Sequence, residues 1–210
     1  MSGFAHSPTS ARPPALPPLL RRTLSGRPAD TVAALVDAAV SEVAETGFDG
    51  LTIRGVARRA SVSPATAYTY FASKEHLLTE VFWRRLVALD EPTPTRRQAP
   101  AERVSAAVRD VAVLVADEPE LAAGITTALL AHDTDVQVVR DRIGAAISAR
   151  LSTAIGPDAD PRVLQILTFT FIGALLSAGM GYATYAALPD VMAEAAGLML
   201  GRGRSKESGR

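Results

Sequence analysis

Few residues in this 210-residue chain are equipped for catalysis. The only imidazoles are His6, His76 and His132, and there is no cysteine. A disulfide framework, a thiolate nucleophile, an iron–sulfur cluster and a Cys-ligated zinc are therefore excluded. Ser, His and acidic residues show no recognised catalytic spacing, and no glycine-rich phosphate loop occurs. No enzyme activity, cofactor or metal is expected. The chemistry that remains is polyanion binding. Arg54, Arg58, Arg59 and Lys74 lie between Leu51 and Lys74 with no Asp or Glu among them, in a protein whose 22 basic and 22 acidic side chains cancel. A local basic cluster attracts polyanions whatever the global sum. The same four charges also fit a solvated helix face, and arginine is abundant here, since only Lys74 and Lys206 of the 22 basic residues are lysines.

These side chains need a scaffold, and the hydrophobic spacing supplies one made of helices. Residues 1–28 read as a tail: Pro13, Pro14, Pro17 and Pro18 forbid a helix, and Arg12, Arg21, Arg22 and Arg27 have no acid among them. It lacks the layout of a secretory signal, so a cytoplasmic protein is expected, and basic arms of this kind can enter a minor groove. Asp30 is positioned to cap a first helix whose stripe is Val32, Val36, Ala39, Val40 and Val43, with Gly47 ending it. Thr52 caps a second, bearing Ile53, Val56, Ala57 and Ala60 on one face. Ser63 followed by Pro64 starts a third, to about Phe71. Ser73 starts a fourth, to about Asp90, before a linker marked by Pro92, Pro94 and Pro100. Five more helices are expected at about 101–117, 119–131, 134–155, 161–186 and 189–201, and no segment alternates like a strand, so the fold class is all-α.

The second and third helices with their tight turn form a helix-turn-helix, whose second element enters the DNA major groove. From Thr52 to Leu78 the chain reads T-I-R-G-V-A-R-R-A-S-V-S-P-A-T-A-Y-T-Y-F-A-S-K-E-H-L-L. This run resembles the DNA-binding domain of the tetracycline repressor (TetR/AcrR) family in its capping Thr, its Val-Ala pair, Val-Ser at the turn and Thr-x-Tyr-x-Tyr-Phe-x-Ser-Lys-Glu-x-Leu-Leu. The resemblance spans roughly residues 31–78. Two positions depart from it: Ser61 stands where the family usually has Gly, a site favouring φ > 0, and Ala67 replaces a larger aliphatic residue. The implied organisation is a tail at 1–28, a helix-turn-helix domain at 29–76, an effector-binding and dimerisation domain at 77–202 and a second tail at 203–210.

Hydroxyls and amides at helix starts hold phosphates, which makes Thr52, Thr66, Tyr70 and Lys74 candidate backbone anchors. Base reading is expected from the start and outer face of the third helix, at Ser63, Pro64, Ala65, Tyr68 and Thr69, where small groups and ring edges meet thymine methyls. Arg54 aligns with a position that reads guanine in some family members; a phosphate contact fits it equally. Arg58 and Arg59 are expected to be solvated or near phosphate. Tyr68 and Tyr70, two apart on a short helix, cannot both point inward.

Between Val163 and Pro189 no charged residue occurs, which suits a membrane span or a buried helix. Its Gln, Thr, Ser and Gly content and the missing basic flank favour a helix buried by a second copy of the chain, with no membrane partner. The family resemblance implies the same: a homodimer through the last two long helices, double-stranded DNA with a palindromic operator as partner, and a small-molecule effector in the C-terminal helices. Trp83, Leu86, Phe171, Met180, Tyr182 and Tyr185 are the candidate effector-binding residues, since pockets are mainly apolar with a few polar points. His132, Asp133 and Asp135 sit near a helix junction, where a loop cap is expected. The resulting expectation is a ligand-responsive transcriptional repressor. The rival is a helical ligand-binding or membrane-associated protein with a degenerate helix-turn-helix.

Overall fold

A computed structural model describes residues 27–93 and 97–207, with side chains through residue 200. Nearly all of the expected tail, and Pro94 of the linker, lie outside the described residues. Nine α-helices and one 3-10 turn, and no strand, occur among the described residues. The first, α1 (Arg27–Gly50), starts three residues before Asp30, so Asp30 is not its cap but an acid in the first turn, where the helix dipole favours it. The tail boundary moves accordingly: Arg27 and Pro28 are helical. Val32, Leu35, Ala38, Ala39 and Val43 form its buried stripe, and Gly47, at φ 66°, breaks the helix where the sequence predicts.

α2 (Ile53–Arg59), α3 (Pro64–Tyr70) and α4 (Lys74–Val87) follow, each opened by the hydroxyl residue expected. Thr52 Oγ1 accepts from Gly55 N at 3.0 Å, Ser63 Oγ from Thr66 N at 3.0 Å and Ser73 Oγ from His76 N at 3.1 Å. Each bond satisfies a helix-end amide that would otherwise be unpaired. The turn between α2 and α3 is closed by Val62 N donating to Ala57 O at 2.9 Å and Ser61 N to Arg58 O at 3.2 Å. That is a Schellman arrangement, whose hinge residue takes a left-handed conformation. Ser61 occupies it at φ 57°, the only non-glycine with positive φ among the described residues.

The C-terminal helices are α5 (Pro100–Ala112), α6 (Pro119–Leu129), α7 (Thr134–Ile155), α8 (Pro161–Gly179) and α9 (Leu188–Glu207). Two differ clearly from expectation. α8 ends at Gly179 rather than Ala186, because Gly181 at φ 81° closes a second Schellman motif, with Tyr182 N donating to Ser177 O and Gly181 N to Ala178 O. α9 runs past Gly201 to Glu207, through the expected second tail. α5 also stops at Ala112, five residues early, and passes into turns.

α4 packs on α6 and α7, α1 on α6, and α5 along α9. One continuous core runs from Val32 to Ala196. α8 is the exception. Its mean hydropathy is 1.5, yet only Leu167, Phe171 and Ala178 are buried in the single chain. Ile166 and Phe169 stand exposed. By length and composition α8 could cross a membrane; what the single chain shows is a helix whose apolar face has no cover within one subunit.

Candidate nucleic-acid interface and effector cavity

Every candidate DNA-contacting side chain reaches the surface. Thr52, Arg54, Ser63, Pro64, Ala65, Tyr68 and Thr69 are exposed, while Thr66, Tyr70 and Lys74 are half-buried. The residues between them are the ones that hold the helices down: Ile53, Val56, Ala57 and Ala67 are buried. The two tyrosines divide as their spacing requires. Tyr68 is 50% exposed, whereas Tyr70 packs partly against the core. Thr66 and Thr69 are engaged locally, Thr66 Oγ1 lying 2.8 Å from Ser63 Oγ and Thr69 Oγ1 donating to Ala65 O at 3.0 Å.

The four cations of this segment do not behave alike. Arg59 is exposed but paired: its Nε donates to Glu42 at 2.8 Å and its Nη atoms to both oxygens of Glu45. Those hydrogen bonds raise the Arg59 pKa further and lower that of Glu45. Arg59 is thus a solvent-exposed clamp between α1 and α2, its charge shared with two carboxylates. Glu42 is nearly buried at 7% exposure, and its carboxylate lies where a side chain at Gly55 would have to go. Lys74 Nζ donates to Phe48 O at 2.7 Å and sits 4.2 Å above the Phe48 ring. Its ammonium ties α4 to the end of α1, with two N–H groups left for a phosphate. Arg54 and Arg58 are exposed and have no ion pair among the described residues. The free positive charge of the surface is therefore concentrated on α2 and at the start of α4.

Beneath this domain, α4, α6, α7 and α8 enclose a cavity of about 440 Å³. Its walls are Phe82 from α4, Ala122, Ile125, Thr126 and Leu129 from α6, Arg140, Ile143, Gly144 and Ile147 from α7, and Ile172, Leu175 and Leu176 from α8. Val115, Leu130, His132 and Tyr185 complete them. The size lies within the range of small-molecule sites, and the lining is mostly aliphatic as such sites require. Of the six candidate effector residues only Tyr185 lines it. Trp83 is one position round the helix from the wall residue Phe82, and Leu86 and Phe171 are packed in the core at 1% exposure. Met180 and Tyr182 fall in the loop after α8, at 55% and 83% exposure. Burial raises the pKa of Tyr185.

The helix junction behaves as a cap. Asp133 Oδ1 accepts from Asp135 N at 2.7 Å and Val136 N at 3.3 Å, while Ser73 Oγ donates to Oδ2 at 3.2 Å. Burial works to raise the Asp133 pKa, but these donors outweigh it and hold the carboxyl low. The hydroxyl that caps α4 is thereby bonded to the carboxylate that caps α7. No group of His, Asp or Glu able to hold a metal occurs among the described residues.

Comparison with known proteins agrees with this geometry. The family described as bacterial regulatory proteins, tetR family, matches residues 35–81. An HTH-type transcriptional regulator of Mycobacterium tuberculosis is 43% identical over 174 residues, covering 82% of this chain and 81% of that protein. The HTH-type transcriptional repressor KstR of Rhodococcus jostii is 27% identical over 134 residues, 63% of this chain and 62% of that one. Among solved structures, a TetR transcriptional regulator from Rhodococcus sp. RHA1 superimposes with a TM-score of 0.68 at 20% identity, over 84% of this chain and 98% of that one. An exposed helix-turn-helix, an all-helical frame and a relative this similar over most of its length make the chain a transcriptional regulator belonging to the tetR family of bacterial regulatory proteins.

Proposed function

We propose that this regulator is a homodimeric repressor that binds a palindromic operator and releases it when a small molecule fills the cavity. It is not an enzyme, and it works in the cytoplasm without a membrane partner. The observation that carries the reading is the double use of α4. Its first residue, Lys74, is tied to Phe48 at the end of α1, and one face further along supplies Phe82 to the cavity wall. A ligand that prefers one position of α4 over another shifts the recognition helix with it; equal affinity for both positions would shift nothing. The uncovered apolar residues of α8, Ile166 and Phe169, together with Val191 and Leu198 of α9, support pairing of two chains through these helices. A two-fold pair presents two α3 helices to half-sites about 34–36 Å apart, or a multiple of that. The repressor sign is supported by the name carried by the Rhodococcus relative.

The test is selection of bound sequences from a random duplex pool with the purified chain at two salt concentrations. Enrichment of a palindrome with centres about one helical turn apart, or a multiple, is the expected result. Salt-sensitive binding with no enriched sequence would refute the operator reading.

A further inference from the structure

Resting on the reading of the cavity as an effector site, we propose that its ligand is an anionic amphiphile, an apolar body ending in a single carboxylate or similar monoanion held at Arg140 and His132. The cavity is graded from a wet, cationic mouth to a dry floor. Arg140, Ile143, Gly144 and Ile147 follow one another at spacings of 3, 1 and 3 along one face of α7 and all line it. At 1.5 Å per residue that face runs about 10 Å from mouth to floor. At the mouth His132 is exposed and Arg140 half-buried; at the floor Ile143, Ile147, Phe82 and Val115 are each at least 95% buried.

Arg140 is held in place. Its Nη1 donates to Leu129 O at 2.8 Å and to Ala131 O at 3.2 Å, anchoring the guanidinium to the last residue of α6 and the loop after it. Nε and Nη2 have no partner among the described residues and keep the fork that binds carboxylates. His132 adds a nitrogen beside it, and no carboxylate lines the cavity. A cation would be repelled at this mouth, a neutral molecule would leave the fork unpaired, and an anion meets both groups. The deeper Thr126 hydroxyl makes no demand on a ligand, because its Oγ1 donates to Ala122 O at 2.9 Å. With each water-sized unit taking about 30 Å³, the volume of about 440 Å³ holds roughly fifteen non-hydrogen atoms. A twelve-carbon acid fits.

The probes are dodecanoate, dodecan-1-ol and dodecyltrimethylammonium, titrated below their micelle-forming concentrations into the full chain and followed by calorimetry. Dodecanoate is expected to bind once per chain, about tenfold or more tighter than the alcohol, with no binding of the ammonium compound. Gly144→Leu fills the cavity from a position whose Cβ meets nothing within 4 Å, and should abolish dodecanoate binding with the fold intact. Arg140→Gln should bring acid and alcohol within about threefold of each other, and Arg140→Lys should restore part of the preference. If loss of the α6 anchor unfolds the Arg140 variants, His132→Gln carries the test on an exposed residue and should reduce the acid preference on its own. Equal binding of acid and alcohol, both blocked by Gly144→Leu, would overturn the anionic head and leave the effector site standing. Dodecanoate binding indifferent to Gly144→Leu, or no binding of any probe, would overturn the amphiphile assignment, the former displacing the site itself.

Discussion

Gly55→Ala is a small change that the structure makes costly. Gly55 is buried in the first turn of α2, two places before Ala57 and beside Arg54. A Cβ built there collides with Oε1 of Glu42 and comes within 3.1 Å of Thr52 Oγ1. The Glu42 side chain cannot simply turn away. It is 9% exposed and its other oxygen takes the Arg59 Nε hydrogen bond at 2.8 Å. Overpacking of this kind costs about 1–3 kcal/mol. Replacing glycine by alanine in a helix returns about 0.8–1 kcal/mol. The net expectation is a loss of roughly 0–2 kcal/mol, which in a chain of this size lowers Tm by about 2–4 °C for each kcal/mol.

A thermal or urea unfolding curve measures it, and a double-mutant cycle gives it a cause. Glu42→Ala removes the obstruction, so Gly55→Ala made in that background should be neutral or stabilising, giving a coupling of about 1 kcal/mol or more between the two sites. A stabilised Gly55→Ala single variant would refute the reasoning, because it would mean that the Glu42–Arg59 pair yields freely. The same variant should weaken DNA binding, since Thr52 and Arg54 flank the displaced backbone.

Arg54→Ala should weaken operator binding by about 1–3 kcal/mol and relax one base position if the side chain reads guanine, which selection with the variant would reveal; a uniform loss over all sequences would assign it to phosphate. Lys74→Ala should weaken all sequences alike and reduce the salt slope by about 1, and it should also lower stability because the bond to Phe48 O is lost, so binding and unfolding are measured together. Ser61→Gly relieves a left-handed serine at φ 57° and should raise stability by up to about 1 kcal/mol in denaturant titration. The Asp133 carboxyl is held below its ordinary pKa in the fold, so its charge contributes stability that is present above the usual Asp range and lost as pH falls through the folded value. Asp133→Asn, which keeps a competent cap, should be less stable than the parent at neutral pH, with the difference vanishing in acid; a difference that persisted in acid would refute the charge argument.

What could be read from the sequence was local. Thr52, Ser63 and Ser73 announce their helices because a cap bonds to an amide two or three residues away, and Gly181 marked the end of α8 by the same kind of short-range rule, although the charge-free run around it concealed the signal. The outward set on α2 and α3 was legible because helical spacing separates Ile53, Val56 and Ala57 from Thr52, Arg54 and Arg58. The pairing of Arg59 was not, since its partners Glu42 and Glu45 lie 17 and 14 residues earlier on another helix. The cavity was the least legible part. Its walls depend on how four helices are rotated against one another, and aromatic residues drew attention to Trp83 and Tyr182 while the space was made by Gly144 among aliphatic neighbours.

Under the proposed effector reading, α4 is the element that connects the cavity to the DNA face. α4 is gripped along its length: Ser73 by Asp133 at one end, Arg85 by Glu118 at 2.5 Å and by Leu114 O at 2.6 Å near the other, with Phe82 in the cavity wall between them. A helix held at both ends transmits a push as a rigid body. For that push to move α3, there must be room, since close-packed interiors resist displacement. The structure has it. A solvent-open cleft of about 290 Å³ lies between Tyr68, Thr69 and Tyr70 of α3 and Asp135, Val139 and Arg142 of α7, with Glu80 of α4 on its wall. Burial raises the pKa of Glu80 in spite of Arg84 beside it, so this junction bears the cost of a nearly buried carboxylate. No substantial direct packing joins α3 to α7 among the described residues, so α3 reaches the C-terminal helices through α2, α1 and α4.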